Sequence, residues 1–341
     1  MTPAKVAPPT GPLPSALTAG WIFPTCAQCG QTAGESALKV PHPDAPGGMS
    51  HVWKCAGCGL RRLQPRPGPD IIGHYYQQET GYNAFEGRRR SARAQVVWDF
   101  LRDSFSRPRD ARLSTQLAGF AAAPLARWLF DINVRIDGRH GMRVLEVGSG
   151  YGDILMYLQS RGCKVLGTDL SPSAAAKAGE NGVEVRVGNL VDLHLPGESF
   201  DAAIMSHSLE HVPDPNAELR ELHRILAPGG LLHIAVPNGA AVRLDTDGRE
   251  WMHLSHPYHF WYFDPDNLVA MIRKHGFEPL APPQTTTRHH ALGLWRAELR
   301  ACGIVPATRR LLRFLRGSLS NPQGGDVLRL VCRRVQSVPL G

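Results

Sequence analysis

The stretch VLEVGSGYG at residues 144–152 decides the fold. An apolar run with β-branched residues passes into three glycines, Gly148, Gly150 and Gly152, and the residues after them have a helical pattern. Glycines at this point let the backbone turn sharply and approach a ligand at a helix N-terminus. The segment predicts a ligand-binding strand–loop–helix unit, although an ordinary strand–turn–helix would also use glycines here.

Further along the chain, β-branched runs alternate with helical stretches. Residues 142–148, 164–170, 183–189, 200–207, 231–238 and 326–334 are predicted strands. Residues 153–161, 172–180 and 215–226 are predicted helices. Another helix is predicted to run from Asp264 to His275, and an extended segment follows it at 277–285. Strands that alternate with helices predict a parallel sheet with right-handed crossovers.

The details of the loop indicate which ligand it binds. A dinucleotide fingerprint would need glycine at position 153, which is Asp153, and the Gly-Lys-Ser/Thr ending of a P-loop is absent. Glu146 would repel a pyrophosphate, but it suits a ligand that carries an ammonium and a sulfonium group. Asp169 ends the next strand, where a carboxylate can accept both ribose hydroxyls. Together these features indicate S-adenosylmethionine.

Four motifs in order resemble a class I S-adenosylmethionine-dependent methyltransferase. They are VLEVGSGYG, TDLS (168–171), GNLVDLHLPGESFDAAIMSHSLEHVPDP (188–215) and LAPGGLLHIAVPN (226–238), and the resemblance covers residues 141–285 and 326–336. It implies an α/β fold with a Rossmann-like seven-stranded sheet and helices on both faces. Its last strand would be antiparallel and would lie between the fifth and the sixth.

The resemblance also implies a set of cofactor-binding residues. Glu146, Gly148 and Gly150 would line the methionine end, and Asp169 would bind the ribose. Asn189 and Leu190 would flank the adenine; many relatives have Asp at position 189, but an amide can also hydrogen-bond the adenine edge. The full implied set is Glu146, Gly148, Ser149, Gly150, Tyr151, Gly152, Asp169, Leu170, Asn189, Leu190 and Ser206.

Two CxxCG motifs near the N-terminus predict a metal site. Cys26 and Cys29 form one pair, and Cys55 and Cys58 form the other. Two such pairs close a tetrahedral four-thiolate Zn²⁺ site with no open position for catalysis. Redox-active pairs would need a thioredoxin-like βαβ context, which residues 21–68 lack. We therefore predict a structural zinc ribbon at 21–68.

The chain divides into five predicted regions. A flexible leader (1–20) and the zinc ribbon precede a mostly helical connector (69–139), in which Tyr75, Tyr76 and Tyr82 would either cover the cleft as a lid or pack against the ribbon. A methyltransferase domain (140–336) with a basic helical insertion (286–325) and a short tail (337–341) follow. Residues 286–341 account for the whole net charge of +8. Within them, the amphipathic stretch 305–318 could contact an anionic surface or a phosphorylated carrier, or dock as an ordinary helix.

Four histidines could act as a general base for a hydroxyl acceptor. His207 and His211 follow the fourth strand of the sheet, and His256 and His259 follow the fifth. His211 could instead bind the backbone of the turn at 213–215. Glu210 could orient a base or cap the next helix. The aromatic residues at 251–263 could form a hydrophobic lid or stack on an acceptor ring.

A narrower resemblance concerns the ribbon followed by a YY…Y segment. Bacterial methyltransferases with this arrangement act in sugar, polysaccharide and secondary-metabolite pathways. We therefore expect a cytoplasmic enzyme that methylates a hydroxyl of a small or carrier-linked sugar or natural product. An RNA methyltransferase is the alternative, although the basic excess lies outside the predicted catalytic core. A cofactor-binding protein without catalysis is the other alternative.

Overall fold

The computed structural model describes residues 20–77, 138–251, 253–286 and 324–335. Almost all of the predicted leader, most of the connector with Tyr82, nearly all of the basic insertion with its stretch 305–318, and the tail lie outside the described residues. The expectations for those segments therefore stay predictions. Among the described residues, none of the helices is long and apolar enough to cross a lipid bilayer.

The N-terminal region consists of short antiparallel strands and one helix. The elements are β1 (Trp21–Ile22), β2 (Gly34–Pro41), β3 (Met49–Cys55), β4 (Arg61–Gln64), β5 (Arg66–Pro67) and α1 (Pro69–Gln77). Strands β2, β3 and β4 form an antiparallel meander, and β1 pairs with β5. The two CxxCG turns lie next to this meander, because Cys55 ends β3.

The second region alternates strands and helices. Its strands are β6 (Arg143–Val147), β7 (Lys164–Asp169), β8 (Val185–Val187), β9 (Phe200–Ser206), β10 (Leu226–Pro237), β11 (Trp261–Tyr262), β12 (Phe277–Pro279), β13 (Gln284–Thr286) and β14 (Val327–Arg334). Its helices are α2 (Asp153–Ser160), α3 (Pro172–Glu180), α4 (Pro215–Ile225), α5 (Val242–Asp247) and α6 (Pro265–Lys274).

The large sheet has the strand order β12-β14-β10-β9-β6-β7-β8. Strands β6 to β10 run parallel where they pair, and β14 is antiparallel to both β10 and β12. The predicted position of the last strand, between the fifth and the sixth, is therefore confirmed. Short strand β13 pairs with the first half of β14 and gives the sheet an eighth member that the sequence did not predict.

Strand β10 begins earlier than expected. We predicted a helix over 215–226 and a strand over 231–238, with Pro228-Gly229-Gly230 between them, but β10 starts at Leu226, which pairs with Phe200. The pairing then shifts and resumes where Leu231 meets Ala202. The Pro-Gly-Gly segment therefore lies inside an irregular strand.

Three helices begin at sites that the sequence encodes locally. Ser171, Asp214 and Asp264 are N-caps whose side chains accept hydrogen bonds from backbone N–H groups of the first turn. Each is followed by proline at the first helical position, where the missing N–H costs nothing. These caps fix where the chain turns after β7, after the β9 loop and before β12.

The sheet is covered on both faces. Alternate residues of β6 and β9 contact different clusters: Leu145 and Ala203 pack with α4 and α6, whereas Val144 and Ala202 pack with Leu158 of α2. The cluster on the α4 and α6 side extends without interruption into the N-terminal region.

Strand β11 joins the two regions. Trp261 and Tyr262 pair with Arg62 and Arg61 of β4 and complete the N-terminal sheet as its fourth strand. The N–H of Leu63 donates to the carbonyl of Phe260 at 2.9 Å. A segment that follows the fifth strand of the large sheet is thus part of the cysteine-containing module.

Candidate functional site

A cavity lies at the carboxyl ends of β6, β7, β8 and β9. It encloses about 580 Å³, part of it open to solvent. We call one side the glycine-loop end; it is lined by Gly148, Asp169, Leu170, Asn189 and Leu190. We call the other the histidine end, which consists of His207 and His211 at the cavity wall together with Glu210 and His259 behind them.

The backbone of the loop requires glycine. Gly148, Gly150 and Gly152 have φ values of 72°, 53° and 76°. A Cβ at Gly148 would lie 2.7 Å from Cβ of Ser208, and one at Gly152 would lie 2.5 Å from Val183. A Cβ at Gly150 would meet nothing within 4 Å, so the loop leaves open space there. This geometry fits a ligand that approaches the backbone closely.

Asp169 ends β7 and faces the cavity. Its Oδ2 accepts a hydrogen bond from the N–H of Gly150 at 2.8 Å, and its Oδ1 accepts one from the N–H of Ser171 at 2.8 Å. Burial raises the pKa of Asp169, and these two N–H groups oppose that effect. Each carboxylate oxygen can accept a second hydrogen bond, so both can receive a ribose hydroxyl.

Two leucines and the side-chain amide of Asn189 line the remaining part of the glycine-loop end. Leu170 is 37% exposed, and Leu190 is buried. The side-chain amide of Asn189 donates to Asp192 at 3.0 Å. Two leucines that line the cavity fit a flat ring such as adenine.

His207 is the exposed member of the histidine end. Its side chain is 28% exposed, and its Nδ1 lies 3.3 Å from Oε1 of Glu210. The residue has a φ of 55°, and its ring stacks on His253 with 5.7 Å between centroids. Glu210 is fully buried, and among the described residues no hydrogen bond reaches its carboxylate oxygens.

His211 lines the cavity beside His207, and His259 lies behind it, with 4.5 Å between the centres of the His211 and His259 rings. The Nδ1 of His211 is 3.0 Å from the carbonyl of Tyr258, and the Nδ1 of His259 is 2.7 Å from the carbonyl of His253. Because a carbonyl only accepts, both Nδ1 atoms carry the proton. Burial lowers the pKa of His211 and holds that of His259 well below its usual range. His211 thus binds backbone, as we considered, but the carbonyl belongs to Tyr258 and not to the turn at 213–215.

The histidine end could also hold an ion. Glu210, His211 and His259 each offer one ligand atom, and these atoms lie within 4.8 Å of one another. Backbone carbonyls that fix the Nδ1 protons would leave each Nε2 as the ligand atom. The fourth candidate histidine, His256, lies elsewhere and packs against Trp21 and His42.

The four N-terminal cysteines converge. The Sγ atoms of Cys26 and Cys58 are 3.5 Å apart, as are those of Cys29 and Cys55, and all four lie within 4.8 Å of one another. Tetrahedral zinc with Zn–S bonds of 2.3 Å would place sulfurs about 3.8 Å apart. Burial opposes ionisation of Cys55, but the N–H groups of Cys58 and Gly57 lower its pKa to about 6. The donor set therefore fits zinc.

The cysteine cluster contacts the loop that lines the cavity. Asn216 of α4 donates to the carbonyl of Ala27 at 3.0 Å. Arg66 donates to the carbonyl of Pro213 at 3.0 Å, and its guanidinium lies 4.2 Å from the centre of the Phe260 ring. The N–H of Phe260 donates to the carbonyl of Glu210 at 2.8 Å. The module therefore supports the backbone of the histidine end.

Several sequence expectations differ from what the cavity contains. Six of the implied cofactor residues are not part of the cavity wall, and their roles stay predictions: Glu146, Ser149, Gly150, Tyr151, Gly152 and Ser206. The aromatic residues that could have formed a lid or stacked on an acceptor are instead buried in the protein: Trp251, Tyr258, Phe260, Trp261, Tyr262 and Phe263. Tyr75 is also buried; its hydroxyl donates to Asp44 at 3.3 Å, so it packs against the N-terminal module.

Sequence reasoning missed some wall residues. Val212, Pro213 and Glu218 line the cavity. Val212 and Pro213 directly follow the SLEH motif, so their position could have been inferred. Glu218 lies on a helix with no motif around it, and no sequence signal indicated it.

Comparisons with known proteins agree with this geometry. Residues 115–281 match a family model described as a methyltransferase domain. The chain is 32% identical over 152 residues to a ubiquinone biosynthesis O-methyltransferase of Cereibacter sphaeroides, covering 41% of this chain and 62% of the relative. It is 36% identical over 152 residues to the protein of the same name from Xanthomonas euvesicatoria, covering 40% and 63%. The chain thus spans less than two thirds of the length of these relatives.

A solved structure is also similar. It is an S-adenosylmethionine-dependent methyltransferase from Mesorhizobium loti, with 21% identity and a TM-score of 0.42 over 64% of this chain and all of that one. The matched family, the strand order of the large sheet and the glycine loop show that this chain carries a methyltransferase domain of the class I S-adenosylmethionine-dependent type.

Proposed function

We propose that this chain transfers a methyl group from S-adenosylmethionine to a hydroxyl of a small-molecule acceptor. The observation that carries the proposal is one cavity with the glycine loop and Asp169 at one end and His207, backed by Glu210, at the other. The O-methyltransferase names of the relatives support the choice of oxygen as the acceptor atom.

The glycine-loop end would hold the cofactor. Glu146, Gly148 and Gly150 would surround its methionine end, Asp169 would bind the ribose hydroxyls, and Leu170 and Leu190 would enclose the adenine. When bound there, S-adenosylmethionine supplies an activated methyl group on a sulfonium. The role of the loop is to fix the direction of that methyl group, because in-line displacement depends on alignment.

His207 would be the general base. Its half-buried ring lines the cavity, and its Nε2 would accept the hydroxyl proton as the oxygen attacks. Glu210 lies 3.3 Å from Nδ1 and would stabilise the imidazolium that forms. His211 and His259 have Nδ1 protons donated to carbonyls, so we assign them to positioning Glu210 and His207.

The acceptor would be a sugar or natural product, free or linked to a carrier. This choice follows the narrower resemblance of the N-terminal module, and the relatives' names add an intermediate of ubiquinone biosynthesis to the candidates. The buried aromatic residues at 251–263 do not supply a stacking surface, so recognition would come from residues near His207 and from the segments that flank the cavity.

The four cysteines would hold structural zinc. Four thiolates leave no open position on the ion, so its role would be to fold the module and hold β4 against β11. Four free thiols fit a reducing compartment such as the cytoplasm.

The test uses purified protein and methyl-labelled S-adenosylmethionine with an extract of its host. Products are separated into RNA, protein, and low-mass or glycolipid pools. Label in the low-mass or glycolipid pool is the expected result and provides a molecule to identify. RNase-sensitive label would replace the proposal with RNA methylation, and cofactor binding without label in any pool would indicate a non-catalytic binding protein.

A further inference from the structure

Glu218 is a buried carboxyl that the proposed reaction does not use. It lies in the first turn of α4, is 4% exposed and lines the same cavity as Asp169. Within the part of the chain that the structure describes, its carboxyl group receives no hydrogen bond. A buried carboxyl without a donor destabilises a fold, so a ligand group that completes its hydrogen bonding would explain its position.

Glu218 lies at the part of the glycine-loop end that Asn189 and Leu190 line. Helix α4 packs against the 3-10 turn Val191–Leu193, which directly follows these two residues. The carboxylate of Asp192 in that turn is near enough to raise the pKa of Glu218. If Asp169 binds the ribose, the purine ring extends toward this end, between Leu170 and Leu190.

Asn189 could accept from the amino group of adenine through its Oδ1, but one of its two amide N–H groups is engaged elsewhere. Its own amide group already donates to Asp192 at 3.0 Å. The adenine edge offers an exocyclic amine, which donates, next to N1, which accepts. An acidic side chain meets both needs when it is protonated, because its carbonyl oxygen accepts and its O–H donates.

The surroundings of Glu218 favour that protonated form. Burial, together with the carboxylates of Glu221, Asp192 and Asp214, raises the pKa of Glu218 to about 7. A neutral carboxylic acid is therefore available near physiological pH.

We propose that Glu218 accepts a hydrogen bond from the exocyclic amine of the cofactor's adenine and thereby positions the purine ring. The inference rests on the proposed function, because it requires S-adenosylmethionine in this cavity. It makes Glu218 the residue that distinguishes adenine from a purine without the amino group.

The test measures binding of two ligands by titration calorimetry at pH 7. One is S-adenosylhomocysteine, and the other is its analogue with hydrogen in place of the adenine amino group. Wild type should bind the analogue about 10-fold or more weakly, since the analogue leaves a buried acceptor unpaired. Glu218→Met, which fills a similar volume without an acceptor, should bind the two ligands within about 3-fold of each other. Glu218→Gln should keep most of the wild-type preference, because its amide oxygen still accepts.

Glu278→Gln is the matched control. Glu278 is an exposed glutamate of β12, pairs with Arg273 at 2.8 Å and does not line the cavity, so its variant should bind both ligands as wild type does. A Glu218→Met variant that keeps the wild-type preference would overturn the inference while leaving the proposed function in place. Failure of wild-type protein to bind S-adenosylhomocysteine at all would instead overturn the proposed function.

Discussion

The two ends of the cavity are built in different ways. At the glycine-loop end, Gly148, Asp169 and Leu190 follow three neighbouring parallel strands, and each belongs to a short motif that can be identified on its own. At the histidine end, Glu210 receives a backbone hydrogen bond from Phe260, whose carbonyl in turn binds Leu63 of the N-terminal module. The first end is encoded by local sequence, whereas the second depends on segments about 50 and 150 residues away in the chain. A perturbation of the module should therefore separate the two ends.

The largest expected effect comes from Cys55→Ser. Loss of one thiolate should release the metal and loosen β3, β4 and β11, so the backbone support of Glu210 is lost. Turnover should fall to background, while S-adenosylhomocysteine affinity stays within about 3-fold of wild type. Metal analysis, a methyl-transfer assay and calorimetry measure the three quantities.

Cys163→Ser is the control for that variant. Cys163 is buried on the opposite face of the large sheet, outside both clusters, so this change should keep metal and turnover. If Cys55→Ser loses metal but keeps turnover, the module does not support the histidine end. A metal ion that persists in Cys55→Ser and is lost in Cys55→Ser/His259→Ala would indicate that Glu210, His211 and His259 bind it.

His207→Ala should lower turnover by a change at the histidine end and leave cofactor binding nearly unchanged. Removing a general base lowers kcat by about 10²- to 10⁴-fold, and S-adenosylhomocysteine affinity should change less than about 3-fold. The matched control is His51→Ala, because His51 lies in the N-terminal sheet and its Nδ1 is within 2.7 Å of the Ser36 hydroxyl. A larger loss in His259→Ala would assign the base to the aromatic segment.

Asp169→Ala should weaken cofactor binding and leave the fold intact. Two hydrogen bonds from ribose hydroxyls to a carboxylate would be lost, so affinity for S-adenosylhomocysteine should fall by about 30- to 100-fold. Asp266→Ala, an exposed carboxylate in the first turn of α6, serves as the control. Unchanged affinity in Asp169→Ala would mean that the ribose binds elsewhere.

The smallest effect is a change in the stability of the unliganded protein. A carboxyl whose pKa rises from 4.5 to about 7 on folding destabilises the fold once it ionises, so the cost is absent below pH 4.5 and complete above pH 7. Glu218→Gln should therefore raise the free energy of unfolding by on the order of 2–3 kcal/mol at pH 8. The gain should shrink as the pH falls toward 4.5. Urea unfolding at several pH values measures it, and a gain that does not depend on pH would contradict the assignment.

The sequence predicts the large sheet and the glycine-loop end well for a physical reason. Each strand, cap and glycine is determined by its immediate neighbours, so the order of elements and the position of Asp169 follow from reading along the chain. The N-caps Ser171, Asp214 and Asp264 are of this kind. Strand β14 is different, because its place in the sheet came from the resemblance to a family and not from its own residues.

The features that the sequence did not predict depend on distant contacts. Strand β11 has only two residues, too few for an alternating pattern, and it exists because β4 offers an open edge. The rings around it looked available for an acceptor, yet they are buried between the module and the large sheet. The position of Glu218 depends on how α4 packs over the turn after β8, which no local motif records.

Strand β11 also limits which parts of this protein can be exchanged in a chimera. A chimera that replaced residues 21–68 alone would leave Trp261 and Tyr262 exposed, whereas a module transplanted alone would carry an unpaired sheet edge. The two segments therefore need to be exchanged together, although nearly 200 residues of chain separate them. Domain exchange in this architecture therefore requires cuts before β6 and also around β11, between β10 and β12 of the large sheet.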